Sequence, residues 1–254
     1  MAAAGGAIYA SCTPSNVIEH LYEERHKVVL AARSDFIATF AAHVSHELNS
    51  PLTSIQGAAE LLYDEIADPM ARMDEDARRR FLGNILADTK HMTAIVNRLR
   101  ELARAEAPPT DGHTTVAAVL GHLRIAFPDL ALLAHGDLDR TLRISDDNLR
   151  IVLGHLADNA VRHGATHVEI EAKDTGQTVR LTVRDDGEGI SPNNRARVFD
   201  NFFTTRREEG GTGMGLSIVR AMLAAHGGSI ELVDGSAGTT FVTTLPADRK
   251  ADPR

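Results

Sequence analysis

The sequence contains few of the residues that stabilise small secreted domains or hold nucleic acids. One cysteine excludes an internal disulfide and a cysteine-based zinc cluster. There is no tryptophan and aromatics make up only 4%, so aliphatic side chains must build the core. No apolar run reaches the roughly 18 residues of a membrane-spanning helix. A net charge of −8 argues against binding nucleic acid mainly through its phosphates. We therefore expect a cytoplasmic globular protein with no membrane span in this chain.

The length of 254 residues suits one large domain or two small ones. Two prolines and a glycine between residues 106 and 113 cannot continue a helix, so this stretch predicts a linker. The predicted organisation is listed in chain order: an N-terminal lead-in and input helix at 1–33, a helical hairpin at 34–105, the linker at 106–113, a C-terminal domain at 114–246 and a tail at 247–254.

The hairpin is predicted from apolar residues that recur every three or four positions. Val44 and Leu48 belong to the first arm, and Ile85 and Leu99 to the second, with a break at residues 68–69. Two arms cannot enclose a core alone, whereas two hairpins can form a four-helix bundle, so we predict a homodimer. The alternative is a hairpin that packs against its own C-terminal domain.

The C-terminal zone alternates between strand and helix patterns. The pattern predicts an α+β sandwich in which helices cover one face of a mixed sheet. The expected strands are 167–172, 178–183, 229–233 and 239–245, with turns at 174–176 and 234–235, and the expected helices are 147–163 and 215–226.

One histidine is a candidate nucleophile. His46 is two residues from both Val44 and Leu48, about 200° around the helix, so it should face solvent. A neutral imidazole offers a nucleophilic nitrogen, and Glu47 could hydrogen-bond the other ring nitrogen. Pro51 predicts a kinked but continuous helix, although a simple helix break is the alternative.

The residue pattern by itself leaves the role of His46 open. A surface histidine often has no function, and the chain has twelve histidines. A metal pair with His43 is disfavoured because the His-Glu-x-x-His order and a nearby third ligand are lacking.

Three further segments suggest a phosphate-containing ligand. The glycines of 185–190 allow close ligand approach at a strand end, although such a segment is most often a turn. The glycine-rich stretch 210–219 opens a helix whose free N–H groups can bind phosphate, yet it fits neither the P-loop nor the dinucleotide pattern. Asn159, Arg162 and His163 share a helix face suited to Mg²⁺ and phosphate, or simply to solvent.

The segment from His46 to Ile55 resembles the H box of sensor histidine kinases of the HisKA class. This resemblance implies that His46 is phosphorylated and that Glu47 is its acid–base partner. Asn49 stands where the family usually has a basic residue. Ser50 stands where kinases that also act as phosphatases generally carry Thr or Asn.

Four later segments resemble the ATP-binding (Bergerat-type) domain of histidine kinases, gyrase-type ATPases and large heat-shock chaperones: 156–163 the N box, 185–190 the G1 box, 199–205 the F box and 211–216 the G2 box. The resemblance implies that Asp185 contacts the adenine amino group, that Asn159 holds Mg²⁺ and that 190–213 forms a lid. His155 replaces the usual first Asn of the N box, which we expect to tune ATP binding. The implied nucleotide-binding residues are Asn159, Arg162, His163, Asp185, Gly187, Gly189, Ile190, Phe202, Thr205, Gly211, Thr212, Gly213, Met214, Gly215 and Leu216.

Together the resemblances imply the kinase core of a sensor histidine kinase of a two-component system. It would transfer the γ-phosphoryl group of ATP to His46 and then to an aspartate on a response regulator receiver domain in trans. The chain could be the cytoplasmic portion of a membrane-associated sensor. The rival interpretations are an ATPase of the gyrase or chaperone type and a degenerate kinase that acts as a dimeric scaffold.

Overall fold

The structure is a computed structural model that describes residues 14–67, 72–106, 112–206, 211–233 and 238–248, with side chains from residue 41 onward. It divides into two compact units, Met1–Ile85 and Leu86–Arg254. Several predicted features lie outside the described residues: the start of the lead-in, the break at 68–69, most of the linker, the turn at 234–235 and most of the tail.

The first unit is built on helix α1, Pro14–Ala67, which runs through Pro51 without interruption. The expectation of a continuous helix is therefore right, and a helix break at this proline is wrong. Helix α2, Glu75–Glu106, begins where the Asp74 carboxylate accepts a hydrogen bond from the Ala77 amide at 2.6 Å. Arg78 in its first turns donates from Nε to Glu65 of α1 at 3.2 Å, which lowers the pKa of Glu65.

The helices of the first unit present large apolar side chains to solvent. Ile66, for example, is 82% exposed and Leu52 is 50% exposed in the single chain. Among the described side chains of this unit, the exposed large apolar residues are Leu52, Leu61, Tyr63, Ile66 and Leu82. Within the residues that the structure describes, no helix is both long enough and apolar enough to cross a bilayer.

The second unit contains a five-stranded sheet. Its strands are β1 Ala131–Gly136, β2 His167–Asp174, β3 Thr178–Asp185, β4 Ser229–Val233 and β5 Thr240–Pro246. The strand order is β1-β2-β3-β5-β4. The pair β1–β2 is parallel and the other three pairs are antiparallel, so the sheet is mixed, as predicted.

One face of this sheet is buried because its strands alternate with period two. Val168, Ile170 and Ala172 of β2 are buried while their neighbours are largely exposed. Helices α3 Val116–Ala126, α4 Asp146–Arg162 and α5 Gly215–Ala225 supply the rest of the core. The predicted apolar face of α4 is buried: Leu149, Val152, Leu153, Leu156 and Ala160. Helices packed on a mixed sheet confirm the predicted fold class.

Capping residues in the sequence determine where two of these helices begin. Ser145 caps α4 by accepting a hydrogen bond from the Asn148 amide at 3.3 Å, and Thr115 caps α3 in the same way. Asp146 and Asp147 in the first turn of α4 favour the positive end of its dipole. The end of α2 belongs to the same core, since Ala105 is buried there.

Candidate active site

The candidate phosphoacceptor lies on an exposed part of α1. His46 is exposed, while Val44 and Leu48 are half-buried, as the spacing predicted. The Oε1 atom of Glu47 lies 4.0 Å from Nε2 of His43, one helical turn earlier. Residues four apart on a helix are neighbours, whereas consecutive residues point in different directions. The Glu47 side chain therefore lies beside His43 in this structure. Its hydrogen bond to the His46 ring stays a prediction.

A cavity of about 500 Å³ opens in the second unit, within the usual size range of small-molecule sites. It joins the C-terminal half of α4, the segment after β3 and the glycine-rich segment before α5. The predicted residues that line it are Asn159, Arg162, His163, Gly189, Ile190, Thr205, Gly211, Thr212, Gly213, Gly215 and Leu216.

Two close backbone contacts hold the segment after β3 in place. The Glu188 amide donates to the His163 carbonyl at the end of α4, at 3.0 Å. A Cβ at Gly187 would lie 2.7 Å from that carbonyl oxygen, so no larger residue fits there without movement. The end of α4 and the G1-like segment are thereby held side by side at the cavity.

The glycine-rich segment before α5 lies directly against the phenylalanine-rich segment, residues 199–205. Gly213 has φ of +65°, and a Cβ there would clash with the carbonyl group of Phe202. Phe202 itself has φ of +64°, an uncommon and strained conformation for a bulky residue. Phe203 lines the cavity, and Phe199 packs edge-on against the core residue Phe241, with ring centroids 6.1 Å apart. The two segments therefore form one wall of the cavity.

The adjacent carboxylates of Asp185 and Asp186, at the end of β3, have different hydrogen-bond partners. Asp185 is buried, and its Oδ1 accepts hydrogen bonds from the amides of Gly187 and Thr239, each at 3.0 Å. Asp186 accepts from the amides of Thr166 and His167, each at 2.8 Å. Hydrogen bonds from the His167 backbone and the Thr166 side chain outweigh desolvation and lower the pKa of Asp186. Asp186 therefore fixes the start of β2, whereas Asp185 faces the G1-like segment.

The cavity also contains residues that the sequence motifs did not identify. From α2 comes Arg98, whose side chain is 13% exposed. It donates to the Thr212 hydroxyl and, at 3.4 Å, to Oδ2 of Asp158. Arg162 donates to the same oxygen at 2.9 Å. Burial lowers the pKa of Arg98; Asp158 opposes this effect and Arg162 adds to it.

A second contact joins α2 to α4 one turn further along. Nε2 of His155 lies 2.8 Å from Oε2 of Glu101. His155 also lines the cavity, next to Gly215. Because Arg98 and Glu101 are three residues apart on a helix, they lie on the same face of α2.

Four predicted nucleotide-binding residues do not line the cavity: Asp185, Gly187, Phe202 and Met214. Other lining residues were not in the list of implied nucleotide-binding residues, although His155 was expected to tune ATP binding: Arg98, His155, Asp158, Glu188, Ser191, Asn194, Val198, Phe203, Thr204 and Arg206. Eight of these lie inside segments that the sequence had already marked. Asp158, Glu188, Phe203 and Thr204 belong to the N, G1 and F boxes, and Ser191, Asn194, Val198 and Arg206 belong to the predicted lid at 190–213. Arg98 is distant in sequence from every motif, and nothing in its local pattern identifies it.

The protein supplies few oxygen donors in the cavity, which fits an Mg²⁺ ion that is held mainly by the phosphates of a bound molecule and by water. Two arginines already pair with Oδ2 of Asp158, whereas the amide oxygen of Asn159 is a neutral oxygen donor that lines the cavity beside it. Among the described side chains, no group of three or more His, Cys, Asp or Glu could hold a metal ion. Mg²⁺ tolerates this arrangement because it usually takes several ligands from phosphates and water.

Two family models match the chain. Residues 37–108 match the His Kinase A (phospho-acceptor) domain, and residues 144–249 match the histidine kinase-, DNA gyrase B- and HSP90-like ATPase. The chain therefore belongs to the sensor histidine kinases.

Individual relatives agree with these matches. The sensor-like histidine kinase SenX3 of Mycolicibacterium smegmatis is 30% identical over 88% of this chain and 60% of its own length. The structure of full-length ShkA in complex with AMPPNP is 27% identical with a TM-score of 0.57, over 84% of this chain and 46% of ShkA. The Acinetobacter baumannii histidine kinase AdeS, 23% identical, shares the fold with a TM-score of 0.59 over 80% of this chain and 98% of that chain. The chain thus spans about 60% of SenX3 and less than half of ShkA.

Proposed function

We propose that this chain is the kinase core of a two-component sensor that phosphorylates itself on His46. One observation carries the proposal: the same chain has an exposed His46 followed by Glu47 on a continuous proline-containing helix, and a glycine-rich cavity with Asn159 and Arg162. A gyrase-type or chaperone-type ATPase would have use for the cavity but not for the exposed histidine.

In the proposed reaction, a neutral ring nitrogen of His46 attacks the γ-phosphorus of ATP. A P–N bond forms while the bond to the β–γ bridging oxygen breaks, and ADP leaves. Glu47 would accept a hydrogen bond from the other ring nitrogen and so favour the positive charge that develops on the ring. Such transfers depend mainly on positioning and electrostatic stabilisation.

The nucleotide would be held by the residues that line the cavity. Asn159 would bind Mg²⁺, which neutralises phosphate charge when it is present. Arg162 and His163 would meet phosphate oxygens, and the amides of 211–215 would add hydrogen bonds. Asp185 would accept a hydrogen bond from the adenine amino group after local movement, because its carboxylate lies just behind the lining. The complex of the relative ShkA with AMPPNP supports this class of ligand.

The exposed apolar residues of the first unit support a homodimer. We propose that a second copy covers them in a four-helix bundle spanning residues 34–105, followed by the catalytic domain at 114–246. Leu52→Lys should then convert a dimer to a monomer in analytical ultracentrifugation. Leu133→Lys, at the exposed Leu133 of β1, is the matched control and should leave the dimer intact.

The partner in signalling would be the receiver domain of a separate response regulator, which accepts the phosphoryl group on an aspartate. We place this reaction in the cytoplasm. Incubation of phosphorylated protein with candidate regulators, followed by gel transfer of the label, would identify the partner.

The autophosphorylation step has a direct test. The chain is incubated with Mg²⁺ and γ-labelled ATP, and an acid-labile, alkali-stable label is sought. The label should appear in the wild type and in His43→Gln, and it should be absent in His46→Gln. Release of free phosphate without protein label would favour the ATPase, and nucleotide binding without turnover would favour the scaffold.

A further inference from the structure

The guanidinium group of Arg98 reaches the nucleotide cavity from α2, outside all of the nucleotide motifs. Its side chain is 13% exposed, and it contacts both Thr212 in the glycine-rich segment and Asp158 on α4. A largely buried guanidinium group normally has a close carboxylate or phosphate partner. Here one partner is a neutral hydroxyl, and the carboxylate lies at 3.4 Å.

The charges around Arg98 leave room for an additional anion. Arg98 and Arg162 share a single oxygen, Oδ2 of Asp158. Glu101, the next acidic group on the same face of α2, is already engaged by His155 at 2.8 Å. Two permanently charged guanidinium groups therefore meet one shared carboxylate at the glycine-rich wall of the cavity.

We propose that Arg98 is a nucleotide-binding residue that contacts the phosphates of bound ATP or ADP. On binding, phosphate oxygens replace Thr212 and Asp158 as its hydrogen-bond acceptors. This exchange is favourable because a phosphate offers charge-assisted, bidentate acceptors, whereas the hydroxyl offers a single neutral one and the Asp158 oxygen is 3.4 Å away. Asp158 keeps its closer hydrogen bond from Arg162, at 2.9 Å. The inference rests on the proposed nucleotide site and adds a residue to it.

One consequence concerns α2 itself. If the C-terminal half of α2 supplies a phosphate ligand, then nucleotide affinity depends on where that half lies against α4 and the glycine-rich segment. By reciprocity, bound nucleotide stabilises that position of the helix. The contact of Glu101 with His155, one turn away, helps to hold the same face of α2 in register with the cavity.

The test measures binding of a fluorescent ADP and a fluorescent non-hydrolysable ATP analogue to the full chain. Arg98→Ala should weaken both by about tenfold, the size expected for losing a charge-assisted hydrogen bond. Arg98→Lys, which keeps the charge but loses the planar fork, should give a smaller loss. The matched control is Arg104→Ala, which removes an exposed arginine of α2 that pairs with Asp147, and it should leave affinity unchanged.

Salt dependence separates direct contact from a structural effect. If Arg98 meets phosphate, affinity of Arg98→Ala should fall less steeply with ionic strength than that of the wild type. Unchanged or tighter binding by Arg98→Ala, or weaker binding with the wild-type salt dependence, would overturn the inference. Absence of any nucleotide binding by the wild type would instead refute the proposed nucleotide site.

Discussion

Nε2 of His155 on α4 lies 2.8 Å from Oε2 of Glu101 on α2, and both side chains are partly buried, at 10% and 27% exposure. The resemblance to the N box led us to expect that His155 tunes ATP binding. The structure gives this histidine a second task, because it joins the end of α2 to the helix that carries Asn159. The histidine that stands in place of the usual first Asn of the N box therefore has a partner, Glu101, on another helix.

The energy of this contact can be measured with a double-mutant cycle. Glu101→Gln and His155→Asn should each lower the free energy of unfolding, and the coupling between them should be about 1 kcal/mol because the pair is partly shielded from water. Denaturant unfolding of the four proteins gives the value. Strict additivity of the two changes would contradict an energetic contact between these side chains.

The predictable part of the fold was the part with strong periodicity. Strand β4 was placed at its observed bounds, and α4 and α5 to within one residue at each end, because buried positions alternate or recur clearly there. Helix α3 and strand β1 were not assigned. Strand β1 is an edge strand with no fully buried residue and with an exposed Leu133, and the apolar run of residues 131–134 does not alternate with polar residues.

The candidate site was predictable only where its residues lie in local motifs. Asn159 and Gly213 belong to short segments with recognisable patterns, and both line the cavity. Arg98 reaches the cavity through tertiary packing of α2, which no local pattern encodes. Asp185 shows the opposite case: its motif was recognised, but its hydrogen bonds to Gly187 and Thr239 place it behind the lining.

Two substitutions at Asp185 should separate its structural and binding roles. Asp185→Asn keeps a side-chain oxygen that can accept from the amides of Gly187 and Thr239, so stability should change by less than about 0.5 kcal/mol. The new amide would present a donor to the adenine amino group, and ATP affinity should fall by at least about tenfold.

The comparison variant is Asp185→Ala, which leaves both amides without this acceptor. It should lower the free energy of unfolding by about 1–3 kcal/mol. Calorimetric titration with ATP and thermal unfolding provide the two readouts. Wild-type affinity in Asp185→Asn would remove Asp185 from the adenine site.

Gly213 should tolerate no side chain. Its φ of +65° and the nearby carbonyl group of Phe202 mean that Gly213→Ala must move the wall formed by the two segments. We expect weaker nucleotide binding and a loss of about 1–3 kcal/mol in the free energy of unfolding.

The control for Gly213→Ala is Gly154→Ala on α4. A Cβ at Gly154 would meet no atom within 4 Å, so the change should stabilise the helix by up to about 1 kcal/mol. Thermal unfolding and fluorescent nucleotide binding test both variants. Equal behaviour of the two alanine variants would show that the wall is not held by close contact at Gly213.

Asp186 should make stability depend on pH in the acid range. Its pKa is lowered in the folded chain by hydrogen bonds from the His167 and Thr166 backbones and side chains. The unfolded carboxyl has an ordinary pKa near 4, so the unfolded state takes up the proton first as the pH falls. The stabilisation is therefore complete above about pH 4 and is lost progressively at lower pH.

Asp186→Asn should be less stable than the wild type at pH 7, and the difference should shrink between about pH 4 and pH 2. Urea unfolding at a series of pH values measures it, and a difference that stays constant down to pH 2 would show that the ionised carboxylate is not the source.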